Sequence, residues 1–290
     1  MSAALAGAAD AVAAEGTAPA PTWVLLRGLT REAAHWGDFP ARLAAALPAG
    51  ARVITLDLPG NGALRDRPSP ARVEDMAKAC RAELRSLQAP APINLVAMSL
   101  GAMVAVAWAS RHPQEIGRAV LINTSLRPFS PPHQRLRPAN WPRLIGLLRP
   151  GVAPREVEAT ILRMTSARDG GAEPLPAAAQ ALAPRSQAER DALLDHWTAI
   201  RRERPVAPAD ALRQLLAAAR YRAPLAAPAV PLLLLAGARD ALVDPRCSRR
   251  LAAAWGCPLV EHPDAGHDLP LDDGAWVLAQ IQRWLKDPAR

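Results

Sequence analysis

The sequence predicts an α/β fold: a mostly parallel sheet with helices on both faces and an inserted helical cap. Three observations carry this. Short apolar runs of strand length alternate with helical patterns along most of the chain. The alternation breaks between about residues 126 and 225, where helical patterns follow one another without a strand. The chain has 290 residues, half of them hydrophobic, which suits one large domain with an insertion.

Taken in order, strands are expected at about 22–27, 52–57, 93–98, 118–124, 231–236 and 258–262. Helical patterns separate them at about 40–47, 73–87, 102–110, 247–255 and 275–285. Residues 22–125 and 226–290 therefore read as the core. Residues 1–21 are Ala-rich with Gly, Thr and Pro, and predict a flexible tail. They lack the basic front and continuous apolar middle of a secretory signal. The segment 126–225 opens on a proline-rich stretch, Pro128 to Pro142, and then predicts helices near 155–167, 187–202 and 208–221. A helical insertion between two core strands predicts a cap over the strand ends, excluding water and lining a pocket. Few buried contacts are expected to tie it to the sheet, so it should open more readily than the core.

Composition narrows the function. The net charge is +8, and lysine occurs only at Lys78 and Lys286. The arginines are scattered apart from pairs such as Arg201-Arg202 and Arg249-Arg250, which points to solvated surface and away from a nucleic-acid or membrane partner. No run of about eighteen apolar residues exists to make a transmembrane helix. Cys80, Cys247 and Cys257 have no metal-ligand spacing, and their odd number argues against a disulfide framework. Each is expected to be a small buried hydrophobe. A cytoplasmic location is the expectation.

The chemistry concentrates in three loops. Ala97-Met98-Ser99-Leu100-Gly101 follows the apolar run Ile93 to Val96 and precedes a helical stretch. Strand, serine between small residues, then helix is the pattern of a nucleophile elbow, whose tight turn lifts the hydroxyl off the sheet edge. The plainer reading of Ser99 is a helix N-cap. Gly237-Ala238-Arg239-Asp240 follows the strand at 231–236, and an acid there can hold an imidazole in one tautomer. Asp264-Ala265-Gly266-His267-Asp268 follows the last strand and offers His267 as base. His262 is the rival base, and Asp244 and Asp264 are the rival acids. Asp244 precedes Pro245, which suits a turn residue, and Asp264 is too near His267 in sequence to reach its far side easily.

The order Ser, Asp, His, each just past a predicted strand, resembles the α/β-hydrolase family from Thr22 to the C-terminus. Leu56-Asp57-Leu58-Pro59-Gly60-Asn61-Gly62 is similar to that family's Asp-x-Pro-Gly-x-Gly turn. Within the family the small cap-bearing esterases, which include the pimeloyl-carrier-protein methyl ester esterases, are the nearest in shape. The resemblance implies the α/β-hydrolase fold and a serine hydrolase that cleaves an ester or thioester through an acyl-enzyme on Ser99. It requires no cofactor or metal. Acyl transfer by the same triad, or a non-catalytic binding protein on this fold, stays open. The backbone N–H groups of Leu29 and Leu100 are the implied oxyanion donors. The family usually has His-Gly where this chain has Arg27-Gly28, so Arg27 either reaches the pocket or turns away to pair with an acid such as Asp57. Trp36 and Phe39 are expected in the core. Trp141, Trp197 and Tyr221 could equally line a pocket or hold the cap together.

Overall fold

The computed structural model describes residues 20–147, 149, 151–170 and 182–287. The expected tail therefore lies outside the described residues except for 20 and 21. Strands form where the apolar runs predict them: β1 Thr22–Leu26, β2 Arg52–Leu56, β3 Ile93–Met98, β4 Ile116–Ile122, β5 Leu232–Gly237 and β6 Leu259–His262. They make one parallel sheet in the order β2-β1-β3-β4-β5-β6. The order reverses between β1 and β3, and ligands of such sheets bind where the strand ends diverge at this switch point.

Side chains alternate strictly between two cores, as the pleat requires. Val24, Leu95, Leu121 and Leu234 face one side with α2 (Val73–Ser86), α3 (Leu100–Arg111) and α9 (Arg246–Trp255). Trp23, Val96, Val120 and Leu235 face the other with α1 (Phe39–Ala46) and α10 (Leu269–Lys286). Trp36 and Phe39 stack at 5.4 Å in the second core, as expected of packing residues. Helix α3 is buried almost all round, which its Ala and Val content allows.

Between β4 and β5 the chain makes a helical insertion: α4 (Pro132–Arg135), α5 (Trp141–Gly146), α6 (Pro154–Thr165), α7 (Gln187–Glu203) and α8 (Pro208–Arg220). Leu162, Leu194, Trp197 and Ile200 give α6 and α7 a small core of their own. Trp197 and Tyr221 are buried and hold the insertion in place, whereas Trp141 is 49% exposed.

The expectation of few buried ties is corrected by the structure. The fully buried Glu158 of α6 accepts from Arg31 at 2.6 Å and Arg201 at 2.5 Å. Gln214 of α8 accepts from Thr30 N and donates to Asn61 Oδ1. Asp210 accepts from Ser69 N at 2.8 Å. Asp272 of α10 accepts from Ser166 Oγ at 2.6 Å and from Ala167 N at 2.9 Å. The insertion is thus fastened to the loops after β1, β2 and β6. These ties are polar, so hydrophobic periodicity does not register them. Among the described residues no helix is long and apolar enough to cross a membrane. Cys80 and Cys247 are buried, Cys257 is half-buried, and all three are free.

Away from the site, Glu115 joins two helices. It accepts from Arg81 of α2 at 2.8 and 2.5 Å and from Trp108 Nε1 of α3 at 2.8 Å. The Arg81 hydrogen bonds, more than any other influence, hold its pKa down to about 2 from an ordinary 4.5. A depressed carboxylate contributes stability above its unfolded pKa and loses it as pH falls towards the folded value. Glu115→Gln should therefore cost about 1 kcal/mol at pH 7 for this partly exposed pair. The gap between wild type and variant in urea unfolding should close steadily below about pH 4.5. A gap that stays constant down to pH 3 would contradict this assignment.

Candidate active site

Ser99 follows β3 directly and adopts φ 54°, ψ −116°, a conformation that side-chain-bearing residues rarely take. The surrounding packing holds it there. Ser99 N donates to Ile122 O at 2.9 Å, and Ser99 O starts α3 by accepting from Ala102 and Met103. Ser99 stands at the N-cap position of α3, but its hydroxyl makes no capping bond to the helix. The small residue two positions on is a packing necessity. A Cβ on Gly101 would stand 2.5 Å from the carbonyl oxygens of both Leu26 and Arg27. Backbone therefore passes against backbone where β1 ends and α3 begins. The same approach sets Gly28 against Ser99, with the Gly28 Cβ position only 3.2 Å from Ser99 Cβ. Leu100 is the first residue of α3, so its N–H has no partner within the helix. Leu29 follows Gly28 on the adjacent loop.

Asp240 and His267 meet by the same means. Gly237 at the end of β5 is crowded by the carbonyls of Ala265 and Gly266, so the loop carrying His267 lies directly on the loop carrying Asp240. His267 Nδ1 and Asp240 Oδ2 are 2.7 Å apart, and both side chains are about 2% exposed. Asp240 Oδ1 accepts from the N–H groups of Leu242 and Val243, both at 2.8 Å. These bonds fix the carboxylate and leave one oxygen for the imidazole.

The rivals are committed elsewhere. Asp244 is held by Arg246, whose side-chain hydrogen bonds pull its pKa down. His262 Nδ1 accepts from Asp264 N and Ala265 N at 3.0 Å, and its Nε2 lies 3.3 Å from Asp273. It shapes the loop on which His267 stands.

Three residues at the site escaped the sequence reading. Asn123, at the end of β4 with φ 46°, accepts from Gly237 N through Oδ1. Its Nδ2 donates to Gly266 O at 3.0 Å and His267 O at 2.7 Å. One amide thus joins the end of β5 to the loop that carries His267. A lone polar residue closing a buried apolar strand was the available signal. Asp268 carries the second surprise. Arg27 turns inward and pairs with it, and Asp57 instead accepts from Ala33 N and Ala63 N. Burial, the largest influence on Asp268, pushes its pKa up. The charge and hydrogen bonds of Arg27, with Arg31 and His267, together outweigh burial and leave it below the usual carboxylate value. The third is His35, buried next to Trp197, whose pKa is pushed well below the ordinary imidazole value by burial and then by Arg31 and Arg27.

The crossing at Gly101 has a measurable consequence. Gly101→Ala should destabilise the protein by about 1–3 kcal/mol in urea unfolding, because backbone must move to admit a methyl group. Wild-type stability in this variant would show that β1 and α3 are not in the contact described.

Three comparisons with known proteins agree with this architecture. The sequence pattern of the Alpha/beta hydrolase family matches residues 23–280. The chain is 31% identical over 234 residues to a pimeloyl-[acyl-carrier protein] methyl ester esterase of Chromobacterium violaceum, covering 80% of this chain and 83% of that protein. Its fold is similar to that of a thermophilic esterase from Thermogutta terrifontis (TM-score 0.67, 21% identity, 94% and 92% of the two chains). It is likewise similar to an enol-lactonase from Burkholderia xenovorans LB400 (TM-score 0.65, 21% identity, 92% of each chain). An all-parallel sheet with an elbow serine at its switch point, a helical insertion after β4 and a family pattern spanning most of the sequence together place this chain in the α/β-hydrolase family.

Proposed function

We propose that the protein is a serine hydrolase that cleaves a carboxylic ester or thioester through an acyl-enzyme on Ser99. The buried 2.7 Å contact between His267 Nδ1 and Asp240 carries this reading, together with the end of β4, where Ile122 O accepts from Ser99 N and Asn123 donates to the loop of His267. The name of the Chromobacterium relative, a methyl ester esterase, supports an ester as the substrate class.

With Asp240 on Nδ1, the imidazole keeps its proton on that nitrogen and presents Nε2 as a base. His267 Nε2 takes the Ser99 hydroxyl proton as Oγ bonds to the substrate carbonyl carbon. The carbonyl oxygen becomes an oxyanion, which the N–H groups of Leu29 and Leu100 stabilise. Collapse breaks the ester bond, and the leaving alcohol or thiol takes its proton from His267. Water then attacks the acyl-enzyme, His267 again acting as base, and the carboxylic acid leaves with Ser99 restored. Asp240 stabilises the imidazolium formed in both halves. No step calls for a metal or an organic cofactor. We assign residues 126–225 as the cap over this site and residues 22–125 and 226–290 as the core. The polar ties of the insertion to the loops after β1 and β6 support that placement.

Two variants and one probe test the scheme. Ser99→Ala should lower turnover of a p-nitrophenyl ester by about 10⁴-fold or more while leaving thermal unfolding unchanged, and should abolish labelling by a fluorophosphonate. Retention of more than a few per cent of turnover would remove Ser99 from the mechanism. Asp240→Asn should lower kcat by about 10²- to 10⁴-fold with little change in KM, since an amide favours the wrong tautomer. Asp244→Asn should stay within about twofold of wild type, because its carboxylate pairs with Arg246 and not with His267. The reverse pattern would make Asp244 the acid.

A further inference from the structure

The reaction scheme leaves one buried charged pair at the site without a task. Arg27 follows β1 and leads into Gly28 and Leu29. Its two terminal nitrogens donate to Asp268, at 3.1 Å to Oδ1 and 2.6 Å to Oδ2. Both side chains are almost inaccessible, at 2% and 3% exposure. Arg27 Nη1 also lies 3.8 Å from Met98 Sδ, and the Trp36 ring covers the guanidinium at 4.8 Å.

The places these contacts reach matter more than their number. Met98 precedes Ser99, Asp268 follows His267, and the main chain of Arg27 runs directly into the oxyanion loop. A single guanidinium therefore touches the neighbours of nucleophile and base, while its own backbone begins the third element. Its carbonyl is also one of the two that crowd Gly101, so the loop cannot slide independently of α3.

Stability alone is a poor reason for such a pair. Desolvating two charges offsets much of their attraction, and well-packed apolar residues can replace a buried ion pair without loss. A two-point planar fork supplies something methyl groups do not: a fixed distance and angle between two segments.

We infer that Arg27 and Asp268 are positioning residues that lock the oxyanion loop to the base loop, so that Leu29 N–H meets the oxyanion while His267 Nε2 takes the Ser99 hydroxyl proton. This rests on the hydrolase reading above. The lock acts on the transition state, where both groups are engaged at once. It therefore governs kcat more than KM.

The test compares Arg27→Met, Arg27→Lys and the double variant Arg27→Met/Asp268→Leu with wild type. It uses the full-length chain, steady-state hydrolysis of a p-nitrophenyl ester and thermal unfolding. Arg27→Met should lower kcat about 10- to 100-fold with KM within about twofold. The double variant has no uncompensated buried charge and should melt near wild type, yet remain at least about tenfold slow in kcat. Arg27→Lys keeps the charge without the fork and should fall between wild type and Arg27→Met. Should Arg27→Met fail to fold, the other two decide. Wild-type kcat in the double variant or in Arg27→Lys would reduce the pair to a stabilising contact and overturn the inference alone. A wild-type chain that neither hydrolyses esters nor labels at Ser99 would overturn the hydrolase reading, and this inference with it.

Discussion

Two places where backbone crosses backbone with no side chain between them set the geometry of this protein. At the end of β1, the carbonyls of Leu26 and Arg27 lie against the first turn of α3 at Gly101. At the end of β5, the carbonyls of Ala265 and Gly266 lie against Gly237 in the same way. The first crossing brings Gly28 up to Ser99, and the second brings the His267 loop down onto the Asp240 loop. Strands of a twisted parallel sheet splay relative to one another, so groups on different strand ends converge only where their loops are drawn together. Asn123 does part of that drawing, reaching from β4 to Gly237, Gly266 and His267.

Polar groups help to bind the insertion to this edge. Glu158, Gln214, Asp210 and Asp272 each satisfy groups on the other side of the boundary. Asp272 has a further effect on the site. It accepts from Ser166 Oγ, Ala167 N and Gly266 N, so the end of α6 and the base loop share one carboxylate. Asp268 adds a backbone bond to Thr165 O at 2.8 Å. The position of the base loop is therefore set jointly by β1, β4 and the insertion. An insertion held in this way is specific in its placement, since buried polar groups tolerate only the arrangement that satisfies them.

The sheet was legible because its strands are continuous apolar runs, and the loops carrying Ser99, Asp240 and His267 could be singled out because each follows one of them. Boundaries were less so. Helix α10 starts at Leu269, earlier than the expected 275. In the structure Pro270 occupies the helix start, where its missing N–H costs nothing. A kink at Asp273 then separates that first turn from the periodic part beyond. The pairing of Arg27 with Asp268 spans 241 residues and leaves no local pattern, so Asp57 was an equally reasonable partner from sequence. The anchoring of the insertion was invisible for the same reason. Trp197 and Tyr221 could be placed in the insertion but not assigned to packing until their neighbours were known.

If these crossings assemble a serine that is acylated, the acyl-enzyme itself is the species to observe. Acid-quenching the protein within milliseconds of mixing with excess p-nitrophenyl butyrate, followed by intact and peptide mass spectrometry, reads it directly. A single added butyryl group is expected on the peptide containing Ser99, appearing with the first equivalent of p-nitrophenol and disappearing as substrate is exhausted. Turnover with the acyl group on another residue, or with no p-nitrophenol burst and no adduct at any quench time, would contradict it.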